Sequence, residues 1–373
     1  MATDIADYAI AGGVAGAVTL VTTPIVRALA LRVGAVVAPD ERRVHDRPTP
    51  TLGGLAMYLG FLAAMAAAGR LDAFESLFRD NSEPLGVVLA ATIIFAVGLV
   101  DDLHELSAPA KITGMVVAGL VLAYFGVTMF YFRVPFLDVV ALGQDLTPLV
   151  TVLWLIVMAN AINLIDGLDG LAAGIVAIAS GAFFLYGQRL DQLGLLATPN
   201  IGPLLAIVVL GLCLGFLPHN FNPARIFMGD SGALLLGLLM AASTSVVGGR
   251  ADPNQAFSGQ TYFFFAPLFI PLLILGVPIL DTLFAVIRRA TRRQGLATAD
   301  KDHLHHRLMR LGHGQRRSVM ILWLWTALLS AFVLYPTYTS EGDAIVPIGI
   351  LALGLALYTV LHPQVRRTRS EAE

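Results

Sequence analysis

Stretches of about 20 mostly apolar residues recur along this chain from one end to the other, each long enough to cross a hydrocarbon core. Inside lipid no water satisfies the backbone. A spanning segment must supply its own hydrogen bonds, which a run of this length does as an α-helix. The composition agrees, with 57% hydrophobic and 13% charged residues and a mean hydropathy of +0.76, against about a quarter charged in a soluble domain. About eleven spans are expected, at roughly 8–30, 52–69, 85–100, 112–127, 148–163, 170–187, 201–217, 232–248, 262–287, 318–336 and 344–362. The expected fold is an all-α polytopic membrane protein in which residues 1–373 form one integral membrane domain, with no soluble domain appended. The first stretch has Asp4 and Asp7 ahead of it instead of a basic segment, and it is too long for a cleaved signal, so it reads as a span. The single cysteine, Cys213, lies in an apolar run and reads as packing.

Positive residues in short loops stay cytoplasmic. One set of alternate loops holds Arg32, Arg42, Arg43, Arg47, Lys111, Arg225, the basic run from Arg288 to Arg317, and Arg366, Arg367 and Arg369. The other set holds only Arg70, Arg79, Arg133, Arg189 and Arg250. That asymmetry puts the N-terminus outside and the C-terminus in the cytoplasm. It also gathers on the cytoplasmic side Asp101, Asp102, Asn160, Asn163, Asp166, Asp169, His219, Asn220, Asn222, Asp230, Asp302, His303, His305 and His306. Polar groups at membrane depth are costly and mark function, so the expected site is built from loops at about 31–51, 101–111, 163–170, 218–231 and 288–317. No nucleic-acid partner is expected, and the net charge of -2 does not argue for one.

Four motifs carry chemistry. In Gly98-Leu99-Val100-Asp101-Asp102, a span ends in adjacent carboxylates, which repel unless a cation or proton relieves them, and Lys111 follows. One acid can serve a metal or its water while the other takes a proton. A compact ammonium suits a phosphate oxygen. In Asn160-Ala161-Ile162-Asn163-Leu164-Ile165-Asp166-Gly167-Leu168-Asp169-Gly170, the spacing of three puts Asn160, Asn163 and Asp166 on one helix face. Asp169 there can cap the following helix. The third, Pro218-His219-Asn220-Phe221-Asn222-Pro223-Ala224-Arg225-Ile226-Phe227-Met228-Gly229-Asp230, offers hard oxygen ligands suited to magnesium and an aromatic ring, Phe227, able to stack on a planar base. Arg225 either meets substrate or snorkels, and Asp230 could equally be an ordinary N-cap. The fourth holds Lys301, Asp302, His303, His305, His306 and Arg307. Clustered histidines raise the question of zinc, but histidine and arginine around a phosphate-rich substrate would donate hydrogen bonds and neutralise charge. The basic run before them also suits anionic lipid.

From Pro48-Thr49-Pro50-Thr51-Leu52-Gly53-Gly54 to His306, these blocks in order resemble the polyprenyl-phosphate N-acetylhexosamine-1-phosphate transferase family. His303-Leu304-His305-His306 looks like its WecA and TagO branch, whereas MraY typically has consecutive histidines. The resemblance implies UDP-N-acetylglucosamine as donor, undecaprenyl or decaprenyl phosphate as acceptor, and Mg2+ as cofactor, with Mn2+ able to substitute. It makes Asp230, helped by Asn163, the metal ligand, and Asp101 and Asp102 the pair handling lipid phosphate, with Lys111 on phosphate oxygens. Asp169, Asn220 and Phe227 fall where the family holds uracil, the histidine block where it meets sugar and pyrophosphate, and Arg47 near the nucleotide. It also implies a bent ninth span, for which Pro267, Pro271 and Pro278 supply bends, and suggests homodimers. Asp281 receives no role.

Two anionic substrates meet only if cations intervene, so the expected catalysis is positioning and electrostatics in an in-line displacement, with an aspartyl-phosphate route through Asp101 or Asp102 as the alternative. A muramyl-pentapeptide transferase and a transporter are the competing functions. A transporter places polar groups near the midplane on broken helices, whereas here they gather at one face.

Overall fold

The computed structural model describes residues 4–37, 48–133, 139–250, 311–339 and 345–361, with isolated positions at 276, 279, 283, 308 and 309. The helices are α1 (Ile5–Val33), α2 (Gly53–Ala68), α3 (Glu75–Arg79), α4 (Glu83–His104), α5 (Ala108–Tyr124), α6 (Leu146–Ile165), α7 (Leu171–Gln192), α8 (Gly202–Asn220), α9 (Gly229–Gly248), α10 (Gln315–Thr339) and α11 (Ile345–Leu361). Each expected span within the described residues coincides with one of them. Apart from the isolated positions 276, 279 and 283, the span at about 262–287, with Pro267, Pro271, Pro278 and Asp281, lies outside the described residues. Among the described residues α1, α4, α6, α7, α8, α9 and α10 are long and apolar enough to cross a membrane, giving 7 crossings. The segment after α2 turns away from it by 91°, and the pair makes an eighth if it is one span. α5 and α11 contain shorter apolar helices. The all-α polytopic class therefore stands on these 7 or 8 candidate spans among the described residues.

Among the described residues two features depart from a purely helical reading. β1 (Val36–Val37) pairs antiparallel with β2 (Thr49–Pro50), and β3 (Tyr131–Arg133) with β4 (Val139–Ala141). Both sit between helices, where loop backbone needs partners of its own.

α1 begins where the Asp4 side chain accepts from the Ala6 amide, and it ends at Gly34 in the left-handed conformation. It packs against α8 through facing small residues. A Cβ added at Gly211 would lie 2.1 Å from the Gly12 carbonyl oxygen, and one at Gly215 would lie 2.2 Å from that of Gly16. Two Gly-x-x-x-Gly faces thus let the backbones touch, the packing that lipid-embedded helices use because hydrophobicity alone does not drive them together.

α9 is the central helix. Its apolar window is 100% buried, enclosed by α2, α4, α6 and α8. A helix apolar all round belongs inside a bundle, and α9 reads that way, with Leu234, Leu235, Leu236, Leu238 and Leu239 filling all sides.

At the end of α9 away from Asp230, Arg250 meets Glu83 of α4 in a buried ion pair at 2.5 Å. The guanidinium also donates to the Thr128 and Gly126 carbonyls and covers the Phe130 ring. Removing one partner of a buried pair strands the other charge and costs about 3–5 kcal/mol. Arg250→Ala should therefore lower the thermal midpoint of the detergent-solubilised protein far more than Arg79→Ala, whose partner Glu75 is solvent-exposed. Equal shifts would contradict the clamp.

Candidate active site

The C-terminal ends of α4, α6 and α8 and the N-terminal ends of α5, α7, α9 and α10 meet around one cavity of about 1150 Å³. Its lining includes Asp101, Asp102, Lys111, Asn163, Asp166, Asp169, Asn220, Phe227 and Asp230. Loops far apart in sequence thus share one mouth because the helices that carry them run antiparallel.

At its centre the Lys111 ammonium sits 2.6 Å from Asp101 Oδ2 and 2.6 Å from Asp230 Oδ2. Asn163 Nδ2 donates to the other Asp230 oxygen at 2.9 Å. The Leu106 amide donates to Asp101 Oδ1 at 2.6 Å, folding the α4–α5 loop back onto the helix end. Two carboxylates gathered on one nitrogen repel by several kcal/mol even at an effective dielectric near 20, so the ammonium is what lets these acids approach.

Asp101 and Asp102 have different hydrogen-bond partners. Consecutive helical residues point about 100° apart, and Asp102 turns to α9. Its Oδ1 accepts from the Asp230 amide at 2.7 Å, and its Oδ2 accepts from the Ser231 hydroxyl at 2.6 Å and the Ser231 amide at 3.2 Å. The expected N-cap role of Asp230 is corrected accordingly. Met228 is the N-cap and supplies no side-chain bond, while Asp230 lies in the first turn and the capping carboxylate comes from another helix.

Asp169 likewise does not cap α7. The N-cap there is Gly170, at φ 76°. Only a residue that tolerates the left-handed region reverses the chain so tightly, which turns Asp169 toward the third motif. There its Oδ2 accepts from Asn222 Nδ2 and the Ala224 amide, both at 2.9 Å. Asn220 reciprocates, accepting from the Gly170 amide at 3.0 Å and donating to the Ile226 carbonyl. Phe227 is half-buried in the wall. Its backbone pairs with Pro50 and Gly53, so the Pro-Thr-Pro segment is the lattice on which this loop lies.

Other expectations fall elsewhere. The Arg225 side chain is exposed and does not line the cavity. Asn160 sits a turn deeper than Asn163 and donates to its own helix at Ile156. His219 bonds the Leu20 carbonyl, and His313 is buried against Thr359 of α11. Arg47, His303, His305, His306 and Arg307 lie outside the described residues. The cavity also includes Thr51 and Gln315, to which no role had been assigned. Gln315 accepts from Asn222 at 2.8 Å, but an amide at a helix start carries no sequence signal.

Asp166 follows α6 directly, and its carboxyl is pushed up from 3.8 to about 8, first by burial and then by the charges of Asp230, Asp102 and Asp169. Asp101, Asp102, Asp169 and Asp230 place more carboxylate in the cavity lining than the Lys111 ammonium offsets. Among the described residues no three His, Cys, Asp or Glu side chains form a metal cage. Asp230 and Asn163 are the sparse, hard donor set that magnesium uses when waters and substrate phosphates complete its shell, and they fit it once the Asn163 amide turns its oxygen inward in place of the nitrogen that now faces Asp230.

A family model described as glycosyl transferase family 4 matches residues 84–248. The chain is 36% identical over 367 residues to the decaprenyl-phosphate N-acetylglucosaminephosphotransferase of Mycolicibacterium smegmatis, covering 97% of this chain and 89% of the relative. It is 30% identical to the undecaprenyl-phosphate alpha-N-acetylglucosaminyl 1-phosphate transferase of Thermotoga maritima, over 72% of this chain and 70% of that one. It is also 33% identical to the phospho-N-acetylmuramoyl-pentapeptide-transferase of Desulforudis audaxviator, over 84% and 93% respectively.

A carboxyl raised in the folded state favours folding while protonated, and that contribution is lost as pH climbs from its ordinary value through its folded one. In metal-free buffer the thermal midpoint should therefore fall between about pH 4 and about pH 8, and Asp166→Asn should flatten the fall. Parallel curves for the two proteins would remove Asp166 as its source.

Proposed function

The chain belongs to glycosyl transferase family 4, and from that premise we propose that it moves N-acetylglucosamine-1-phosphate from UDP-N-acetylglucosamine onto a polyprenyl phosphate, undecaprenyl or decaprenyl, at the cytoplasmic membrane face. The products are UMP and the polyprenyl-diphosphate sugar. The observation that carries this reading is the convergence of Lys111, Asp101, Asn163 and Asp230 at one mouth of a bundle of apolar helices. Such a mouth admits a lipid phosphate from the bilayer and a nucleotide from water.

An oxygen of the polyprenyl phosphate attacks the phosphorus nearest the sugar. The new P–O bond forms as the bond to UMP breaks, and UMP leaves with the electron pair. Lys111 meets the phosphate oxygens as a mobile point charge, and Asp101 beside it sets where that ammonium stands. Asp230 and Asn163 would hold Mg2+, which when bound would supply charge neutralisation for the diphosphate. Asp166, charged or neutral according to its surroundings, adjusts the negative potential of the pocket. Asp169 and Asn220 fix the loop bearing Phe227, against which the uracil stacks. The histidines and Arg307, with Arg47, complete the anion-binding set. Everything these residues do is orientation and electrostatics, which is what phosphoryl transfer asks of a protein.

The donor follows the N-acetylglucosamine relatives, and the test offers both nucleotides. Purified protein with a short polyprenyl phosphate and Mg2+ should release UMP from UDP-N-acetylglucosamine. Release from UDP-muramyl pentapeptide alone would move the assignment to the other branch. Asp230→Asn should leave the protein folded and lower turnover at least a hundredfold, about 2.7 kcal/mol of barrier. Near-normal turnover at saturating Mg2+ would take Asp230 out of the site.

A further inference from the structure

We infer that Asp102 is a positioning residue, committed to the N-terminus of α9, and that Asp101 alone of the adjacent acids is available to the lipid phosphate. The inference rests on the reading of Asp230 above and adds what holds Asp230 in place.

The geometry is that of a cap supplied in trans. The first amides of a helix have no partner within it, and in α9 the residue before them provides none. Asp102 takes the Asp230 amide, the Ser231 amide and the Ser231 hydroxyl, which fills three of the roughly four acceptor directions of a carboxylate. A carboxylate in this position also complements the positive end of the helix dipole. The surrounding residues are shaped to admit it. A Cβ at Gly229 would lie 2.5 Å from both Asp102 oxygens, and Gly229 has φ 69°. One turn back on the same face of α4, a Cβ at Gly98 would lie 2.5 Å from the Ser231 Cα. Gly98 and Asp102 thus form one face, the first bringing α4 onto α9 and the second fastening it. Because Asp102 bonds the very amide of Asp230, it fixes the base of that side chain, while Lys111 and Asn163 fix its tip. Asp101 instead meets the Lys111 ammonium, which also touches the Asp230 carboxylate.

The consequence is coupling. A carboxylate that works on the substrate should not depend on Ser231, whereas one that works through α9 should. The experiment compares the wild type, Ser231→Ala, Asp102→Asn and the double variant in detergent, reading UMP release, the Mn2+ dissociation constant by electron paramagnetic resonance without substrate, and the thermal midpoint. Expected are a loss of about three- to tenfold in turnover for Ser231→Ala and about a hundredfold for Asp102→Asn, with weaker Mn2+ binding in both, and a double-variant loss smaller than the product of the two. Multiplying losses with unchanged Mn2+ affinity would overturn the inference and return Asp102 to direct work on the substrate. If the wild type neither releases UMP nor binds Mn2+, the functional reading fails by itself. The thermal cycle then still decides the contact, with sub-additive losses supporting the trans cap and additive losses overturning it.

Discussion

One ammonium standing between carboxylates of two helices is the interaction on which the rest depends. Lys111 belongs to α5, Asp101 to α4 and Asp230 to α9, so the contact is also a statement about where three helices end. Burying charge costs several kcal/mol per ion unless partners surround it. The site meets that cost with reciprocal partners, Asn163 on one Asp230 oxygen and the Leu106 amide on Asp101. The cluster keeps access to water through the cavity, so its partners can be exchanged when phosphates arrive.

The scaffold exists to hold those ends still. α9 is enclosed over its whole apolar length and cannot slide without opening contacts on every side. One end carries Asp230, and the other is tied to α4 through Arg250 and Glu83. Small residues let α1 and α8 touch along their backbones, a tolerance that costs helix propensity and returns close packing in lipid. Stability and site geometry are therefore set by the same helix.

Apolar runs announced the helices because their length is dictated by the bilayer, and each expected span within the described residues is a helix. The sequence also brought Asp101, Lys111, Asn163, Asp166 and Asp230 together, since polar residues at span ends on one side must share a surface. What it could not reveal was partnership. Asp102 beside Asp101 reads as a pair until the 100° step of a helix sends them to different neighbours. Asp169 and Asp230 each read as caps for their own helices, yet Asp169 bonds the Asn222–Ala224 loop and the amides of α9 are capped from α4. Capping across helices leaves no mark in local spacing. The buried Glu83–Arg250 pair was equally hidden, because its members stand at loop edges where charge is ordinary.

The claim that everything shares one aqueous mouth is tested most directly by membrane-impermeant thiol labelling in sealed, oriented vesicles. The single native cysteine, Cys213, is buried and contributes no background. Ser107→Cys, Gly167→Cys and Arg225→Cys, all at exposed positions around the cavity, should label from the same side, and exposed Asp80→Cys from the other. Labelling of the 107 and 225 positions from opposite sides would separate Lys111 from Asp230 by the thickness of the membrane and leave the proposed chemistry without a site.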